Sequence, residues 1–289
     1  MTLTADDLKN IAGMLSRDLE QHTAEKYDDG FRRHLGASQI GDVCDRRLWY
    51  VFRWAAKEVY KDKFGVDNKG RMLRLFNRGH LEEVRIIEWL RGMGHEVTDK
   101  IDGKQIRINS QEGHFGGSCD GIIKFGGIYY NLPTMLLEFK TSGDKAFQKL
   151  IVEGVRKAKP QHYAQMSVYG KSLKLEYALY ICVNKNDDTV HMEMVPLDWQ
   201  LAGQLDAKAQ KLIYAQVPPV RISENSAYFE CKYCSFAPIC HGQARYEKNC
   251  RSCVHSFPDR DKTWYCHLYQ QTIPDDFIAK GCDYYSENR

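Results

Sequence analysis

The sequence predicts an α/β protein: a mixed central sheet flanked by helices, a helical N-terminal region and a small cysteine-rich C-terminal module. Three observations predict it. The hydrophobic period is helical to about residue 92, becomes strand-like, and then alternates between helix and strand. The junctions are short and rich in Gly, Asn and Pro. Seven of the ten cysteines fall after position 230.

Taken in order, the first stretch reads as helical. In LRLFNRGHLEEVRIIEWLRGMG, Leu75, Phe76, Leu81, Val84, Ile87 and Leu90 recur at helical spacing, and Gly92 and Gly94 end the run. HEVTDKI, KQIRINS, GGSCDGIIKF and IYYNLPTMLLEFKT follow as short β-branched or apolar runs, a meander of strands. Helical pattern returns from Asp144 to about Arg156, and from Pro160, a permitted first helical residue, to Leu173. EYALYICVNK and TVHMEMVPL read as two strands joined through Asn186-Asp187-Asp188, and a helix follows from about Asp198 to Tyr214. Pro218-Pro219 marks a boundary. The divisions are residues 1–92, 93–217, 218–245 and 246–289.

A chain of 289 residues can bury a full core, and no stretch is long and apolar enough to span a bilayer. MTLTADDLKN lacks the basic-then-apolar layout of a secretory signal, so the reading is a soluble protein of the cytoplasm, with no membrane partner. A net charge of +3 neither requires nor excludes nucleic acid. Arg32-Arg33, Arg46-Arg47 with Arg53, and Arg71 with Arg74 and Arg78 are clusters that could meet phosphate, although each also suits a solvated helix face.

The strongest chemical signal is Asp120, in Gly117-Ser118-Cys119-Asp120-Gly121, together with Glu138-Phe139-Lys140 on the next strand. Glu138 and Lys140, two apart in a strand, share one face. MLLEFKT is apolar up to the triplet, as in a buried strand, and ionisable groups there are costly unless they bind something. Two converging carboxylates suit Mg²⁺ or Mn²⁺. A neighbouring ammonium suits the water that attacks a phosphodiester.

Asp-x(n)-Glu-x-Lys on adjacent strands resembles the PD-(D/E)xK nuclease superfamily, and the flanking residues resemble its RecB-like branch. Gly79-His80-Leu81-Glu82-Glu83 matches the branch's helical acid element, with Glu83 preferred over Glu82, and Gln165-Met166-Ser167-Val168-Tyr169 matches its Gln-x-x-x-Tyr helix. Gln161 lies one turn before Gln165 on the same face. Cys119 stands where the family often has Pro. The resemblance implies a restriction-endonuclease-like fold. It also implies that Asp120, Glu138, the Phe139 carbonyl and Glu83 bind the metal, that Lys140 acts on the water, and that Gln165 and Tyr169 position phosphate or water.

Cys231-x2-Cys234-x5-Cys240 needs a fourth ligand, and Cys44, before Asp45-Arg46-Arg47-Leu48-Trp49, is the candidate. Four thiolates suit zinc or an iron–sulfur cluster. The arrangement brackets the centre just described and resembles the iron–sulfur staple of CRISPR-adaptation exonucleases and AddB-type nucleases, which implies a [4Fe–4S] cluster in segment 218–245. Cys250-x2-Cys253 with Cys266 and Cys282 forms a second set, in which His255 or His267 could substitute for a cysteine. That spacing reads as a zinc site, with a second cluster as the alternative. Lys248, Arg251, Arg260, Lys262, Trp264 and Tyr265 could grip nucleic acid or serve as surface and small core. Cys119 and Cys182 read as buried apolar residues.

Taken with these features, the resemblance implies a metal-dependent DNA exonuclease, 5′-to-3′ on single strands or DNA ends. The setting it implies is recombination, end processing or CRISPR adaptation in a bacterial or phage-infected cell, with DNA and proteins of those processes as partners. The alternatives are a non-catalytic DNA-end-binding assembly subunit and a structure-selective endonuclease.

Overall fold

A computed structural model describes residues 3–28, 30–60, 68–242 and 244–288 of the chain. Helix α1 (Ala5–Lys26) starts at a capping box, in which the Thr4 hydroxyl and the Asp7 carboxylate satisfy each other's backbone N–H groups. Strand β1 (Leu35–Gly36) and helix α2 (Asp45–Phe52), with Cys44 as its N-cap, precede the long helix α3 (Lys69–Gly92). Helix α1 packs on α3 where Gly70 admits it: a β-carbon there would lie 2.3 Å from the Glu20 carbonyl oxygen. Arg74 ties the same pair, donating to Thr23 at 2.8 Å and pairing with Glu20. That residue is therefore engaged within the fold.

The strands that follow are β2 (Glu96–Thr98), the small hairpin β3 (Lys100–Ile101) and β4 (Lys104–Gln105), β5 (Arg107–Ser110), β6 (Phe115–Ser118), β7 (Gly121–Lys124) and β8 (Met135–Ser142). After β8 come α4 (Asp144–Ala158), α5 (Pro160–Leu173), β9 (Tyr177–Asn184), β10 (Val190–Pro196) and α6 (Trp199–Tyr214). The main sheet has the order β10-β9-β8-β7-β2 and is mixed. β8 runs parallel to β9, which the α4–α5 crossover permits, and antiparallel to β7. A second sheet, β1-β6-β5, stands beside it. This is the mixed α/β architecture the periodicity predicts.

Alternation along β8 sends its two faces to two cores. Met135, Leu137 and Phe139 pack with Leu179, Ile181 and Val183 under Ile86, Ile87 and Leu90 of α3. Leu136, Ala178, Tyr180 and Cys182 face α4 and α5, through Phe147, Leu150, Met166 and Tyr169. Each such aliphatic side chain contributes roughly 1.5–3 kcal/mol on burial. The helical stripe read from the sequence is corrected in part: Phe76, Leu81 and Val84 are exposed, and Ile86 takes a buried place beside Ile87 and Leu90. The chain also breaks at Gly154 inside α4, where φ is +71° and Glu193 accepts from the Val155 N–H at 2.9 Å.

Beyond α6, short helices α7 (Phe229–Lys232) and α8 (Ala237–Cys240) carry the first cysteine triplet. The remaining segment forms a three-stranded antiparallel sheet of β11 (Ser256–Pro258), β12 (Trp264–Cys266) and β13 (Gln271–Thr272), then helix α9 (Asp275–Ile278).

Two arginines join this tail to α2. Arg53, fully buried, donates to the carbonyls of Ala215 at 2.8 Å and Ser256 at 3.0 Å. Arg251, also buried, lies 4.5–4.6 Å from the ring centroids of Phe52, Trp54 and Trp264. Neither has a carboxylate partner among the described residues. Arg53, Arg251 and Trp264 are thus interior groups, which corrects their reading as candidates for contact with nucleic acid. Arg46 is likewise engaged, donating to the Pro219 carbonyl at 2.7 Å.

Candidate functional site

β8 loses its antiparallel partner just before the charged triplet. The last pair is Gly121 with Leu137, whereas the parallel pairing with β9 continues through Glu138, Lys140 and Ser142. Between β6 and β7 the chain changes sheet, and Asp120 stands in that step. A fork opens where β7 and β8 part. Asp120 reaches into it, and its Oδ2 accepts the Phe139 N–H at 2.7 Å.

The Glu138 side chain is completely buried, on the face shared with Leu136. Its Oε1 accepts from the Lys140 ammonium, and its Oε2 has no hydrogen-bond partner. Lys140 also donates to the Phe139 carbonyl oxygen at 3.1 Å. One ammonium therefore touches two of the oxygens that sequence reasoning assigns to a metal ion.

Two helices close the fork. α3 brings Glu83, whose charge is felt at Asp120, Glu138 and Lys140. Glu82 turns to Arg85 at 2.7 Å, so Glu83 is the residue facing the centre. His80 lies 3.4 Å from Glu83. α5 brings Gln165 and Tyr169, both buried and one helical turn apart. A β-carbon on Gly117 would lie 2.4 Å from the Tyr169 hydroxyl, so the missing side chain admits the phenol beside Asp120. Gln161, by contrast, is exposed and donates to the Ser38 carbonyl at 3.2 Å.

Sequence reasoning missed His162 and Tyr180. Tyr180 is the register neighbour of Glu138, and its hydroxyl lies 2.9 Å from His162 Nδ1. Burial, then the charges of Lys140 and Lys159, push His162 down to about 3, so the ring is neutral. Helical spacing from Gln165 was a usable signal for His162. Nothing marks Tyr180 among the apolar and aromatic residues that fill most of β9.

Three acids thus meet one cation. Burial, with Glu138 and Glu83 adding to it, pushes Asp120 up to about 8 despite Lys140. Glu138 is raised by burial and by Glu83. Burial would lower Lys140, but Glu138 and Asp120 outweigh it and hold the ammonium charged. Without a second cation the folded protein retains a proton on Asp120 that the unfolded chain releases near 4, so stability falls as pH rises from about 4 to about 8. In EDTA the wild-type melting temperature is expected to drop across that range, by the equivalent of a few kcal/mol, and Asp120→Asn should flatten the slope. A flat wild-type profile would contradict this electrostatic picture.

The unpartnered Glu138 oxygen beside Asp120, Glu83 and a backbone carbonyl is a hard oxygen donor set that suits Mg²⁺ or Mn²⁺. The sulfur donors also gather. Cys44, Cys231, Cys234 and Cys240 line one small cavity with Arg46, Arg47 and Arg221 at its rim. Burial raises Cys234, and Cys44 and Cys240 add to the rise while Arg47 opposes it. Cys250, Cys253, Cys266 and Cys282 line a second cavity of ≈170 Å³ with His255. All ten cysteines are free, and Cys119 and Cys182 are buried. Among the described residues no three His, Cys, Asp or Glu side chains are drawn together tightly enough to hold an ion as they stand. The donors converge without a closed coordination shell. No helix among the described residues is long and apolar enough to cross a membrane.

No protein family and no curated protein matches the chain. Solved structures resemble it distantly, in backbone arrangement. The crystal structure of SSO0001 superposes with a TM-score of 0.44 at 18% identity, covering 80% of this chain and 97% of that one. The alkaline exonuclease LHK-Exo from Laribacter hongkongensis gives 0.44 at 17% identity, covering 65% and 90%. The same exonuclease in complex with dAMP gives 0.41 at 15% identity, again covering 65% and 90%.

Proposed function

We propose that this protein is a divalent-metal-dependent DNA nuclease that hydrolyses phosphodiester bonds at DNA ends. One observation carries the reading: a fully buried Glu138 with an unpartnered oxygen, beside a half-buried Asp120 and Lys140, at a fork in the sheet. Charge placed there at such electrostatic cost, with no structural partner for that oxygen, is charge kept for binding.

Asp120, Glu138, the Phe139 carbonyl and Glu83 would hold Mg²⁺ or Mn²⁺. When bound, the ion supplies Lewis-acid stabilisation of the charge that builds on the scissile phosphate. The remaining work belongs to the chain. Lys140, released from Glu138 and Phe139, donates to the attacking water or to a phosphate oxygen and orients it. Gln165 and Tyr169 fix the other side of the phosphate, and the neutral His162 holds Tyr180 beside Glu138. The resemblance of this motif order to iron–sulfur-stapled RecB-like nucleases is the basis for reading exonucleolytic, 5′-to-3′ action in recombination, end processing or CRISPR adaptation. Cys44, Cys231, Cys234 and Cys240 would hold a [4Fe–4S] cluster that ties α2 to the α7–α8 segment, so that its binding adds to folding stability.

The test uses end-labelled single-stranded and duplex DNA and a closed circular plasmid, with Mg²⁺, Mn²⁺ or EDTA. Wild type is expected to shorten linear DNA from the 5′ end only with the ion present, and Asp120→Asn to leave it intact. Cutting of the closed circle would establish an endonuclease instead. Equal inertness of wild type and variant would end the enzymatic reading in favour of an end-binding subunit.

A further inference from the structure

The tail is short of the usual means of stability. Its strands β11, β12 and β13 are two or three residues long, and its buried apolar side chains are few, chiefly Cys253, Trp264, Ile273 and Ile278. A segment with so small a core generally needs a metal or disulfides. No disulfide is present: Cys250, Cys253, Cys266 and Cys282 are free, yet all four line the same ≈170 Å³ cavity. They come from separate elements. Cys250 and Cys253 flank one loop, Cys266 ends β12, and Cys282 follows α9. Four neutral thiols facing one another gain little from the proximity. As thiolates they select soft metals, zinc or the irons of an iron–sulfur cluster.

The loop between the first two cysteines has a second property. Its first residue, Arg251, is plugged between Phe52, Trp54 and Trp264, with Nη1 donating to the carbonyls of Arg32 and Arg33 at 3.4 and 3.1 Å. Asn249, just before the loop, donates to the Trp54 carbonyl at 2.9 Å. Fixing Cys250 and Cys253 to a common centre fixes both ends of the segment that aims the guanidinium into this aromatic cage. The cage stands at the C-terminal end of α2, the helix whose N-cap is Cys44.

We propose that Cys250, Cys253, Cys266 and Cys282 form a thiolate-bound soft-metal centre, separate from the Cys44 set, that holds Arg251 in place and so locks the tail onto α2. The proposal stands independently of the nuclease reading.

The experiment uses the full chain purified without oxygen. Metal and sulfide are quantified, intact mass is measured under native conditions, and iodoacetamide labelling is mapped by residue before and after chelation. In wild type the four tail thiols are expected to resist labelling, and to react at least ~10-fold faster once the metal is stripped, with a change in Trp fluorescence as the cage opens. Cys44→Ala should retain one metal centre, and Cys266→Ser should lose it. Zinc without sulfide identifies a single ion, and iron with matching sulfide a cluster. Either supports the proposal. Prompt labelling of the four thiols in folded wild-type protein, or a folded Cys44→Ala variant devoid of metal, overturns it. The wild-type labelling decides the matter even if Cys266→Ser does not fold.

Discussion

Lys140→Ala is expected to reduce Mg²⁺- or Mn²⁺-dependent DNA hydrolysis by about 10²–10³-fold while binding of the ion is kept or tightened. The two effects separate because Lys140 has two relations to the centre. Its ammonium contacts Glu138 and the Phe139 carbonyl, oxygens that the ion would share, so it competes with the ion for them. It is also the cation nearest to where the water must be oriented. Removing it leaves Glu138, Asp120 and Glu83 without their neutralising neighbour, which strengthens the pull on a divalent cation and destabilises the metal-free protein. Calorimetric titration with Mn²⁺ alongside single-turnover hydrolysis checks this. Unchanged hydrolysis, or loss of metal binding in a folded variant, would remove Lys140 from the proposed role.

Arg251→Ala is expected to destabilise the protein by about 3 kcal/mol, and Arg251→Met by about 1 kcal/mol or less. Burial forces the Arg251 guanidinium well below its ordinary basicity, and nearby Arg53 and Arg33 add to the effect. Only backbone carbonyls and three aromatic faces offset that cost, and Nε and Nη2 lack hydrogen-bond partners. The side chain therefore stabilises chiefly through the volume it fills among Phe52, Trp54 and Trp264. Methionine keeps most of that volume and drops the desolvation penalty, whereas alanine leaves a hole. Urea unfolding at matched metal content distinguishes the two. Equal losses for Ala and Met would mean that the charge itself holds the tail.

Local chemistry made much of the site legible. Asp120, Glu138 and Lys140 stand out as charges in apolar strand contexts, and Gln165 and Tyr169 as polar groups at helical spacing. Strand alternation placed Glu138 and Lys140 on one face, and the geometry follows that alternation. What stayed hidden depended on partners far along the chain. Arg53 and Arg251 read as surface residues because their carbonyl and aromatic partners lie up to about two hundred residues away in sequence. β1, two residues long, is too short to leave a pattern. The buried side of α3 was misjudged because its apolar residues occupy more than one face, and the sheet alone selects Ile86, Ile87 and Leu90. The change of sheet at Asp120 was invisible for the same reason. A strand's partner is not written in the strand.

The surroundings of α2 have a consequence in time. Trp49 donates to the Ala215 carbonyl at 3.0 Å, Arg53 to Ala215 and Ser256, and Cys44 faces Cys231, Cys234 and Cys240. Every one of these partners leaves the ribosome more than a hundred and fifty residues after the helix it completes. During synthesis α2 therefore waits with its apolar and cationic groups unpaired, and its cage can close only after the sheet-bearing core has been made. Such non-local closure slows folding and lengthens exposure to aggregation and proteolysis. Nascent chains halted before residue 215 should be cut by protease within α2, and chains extended through the tail should resist.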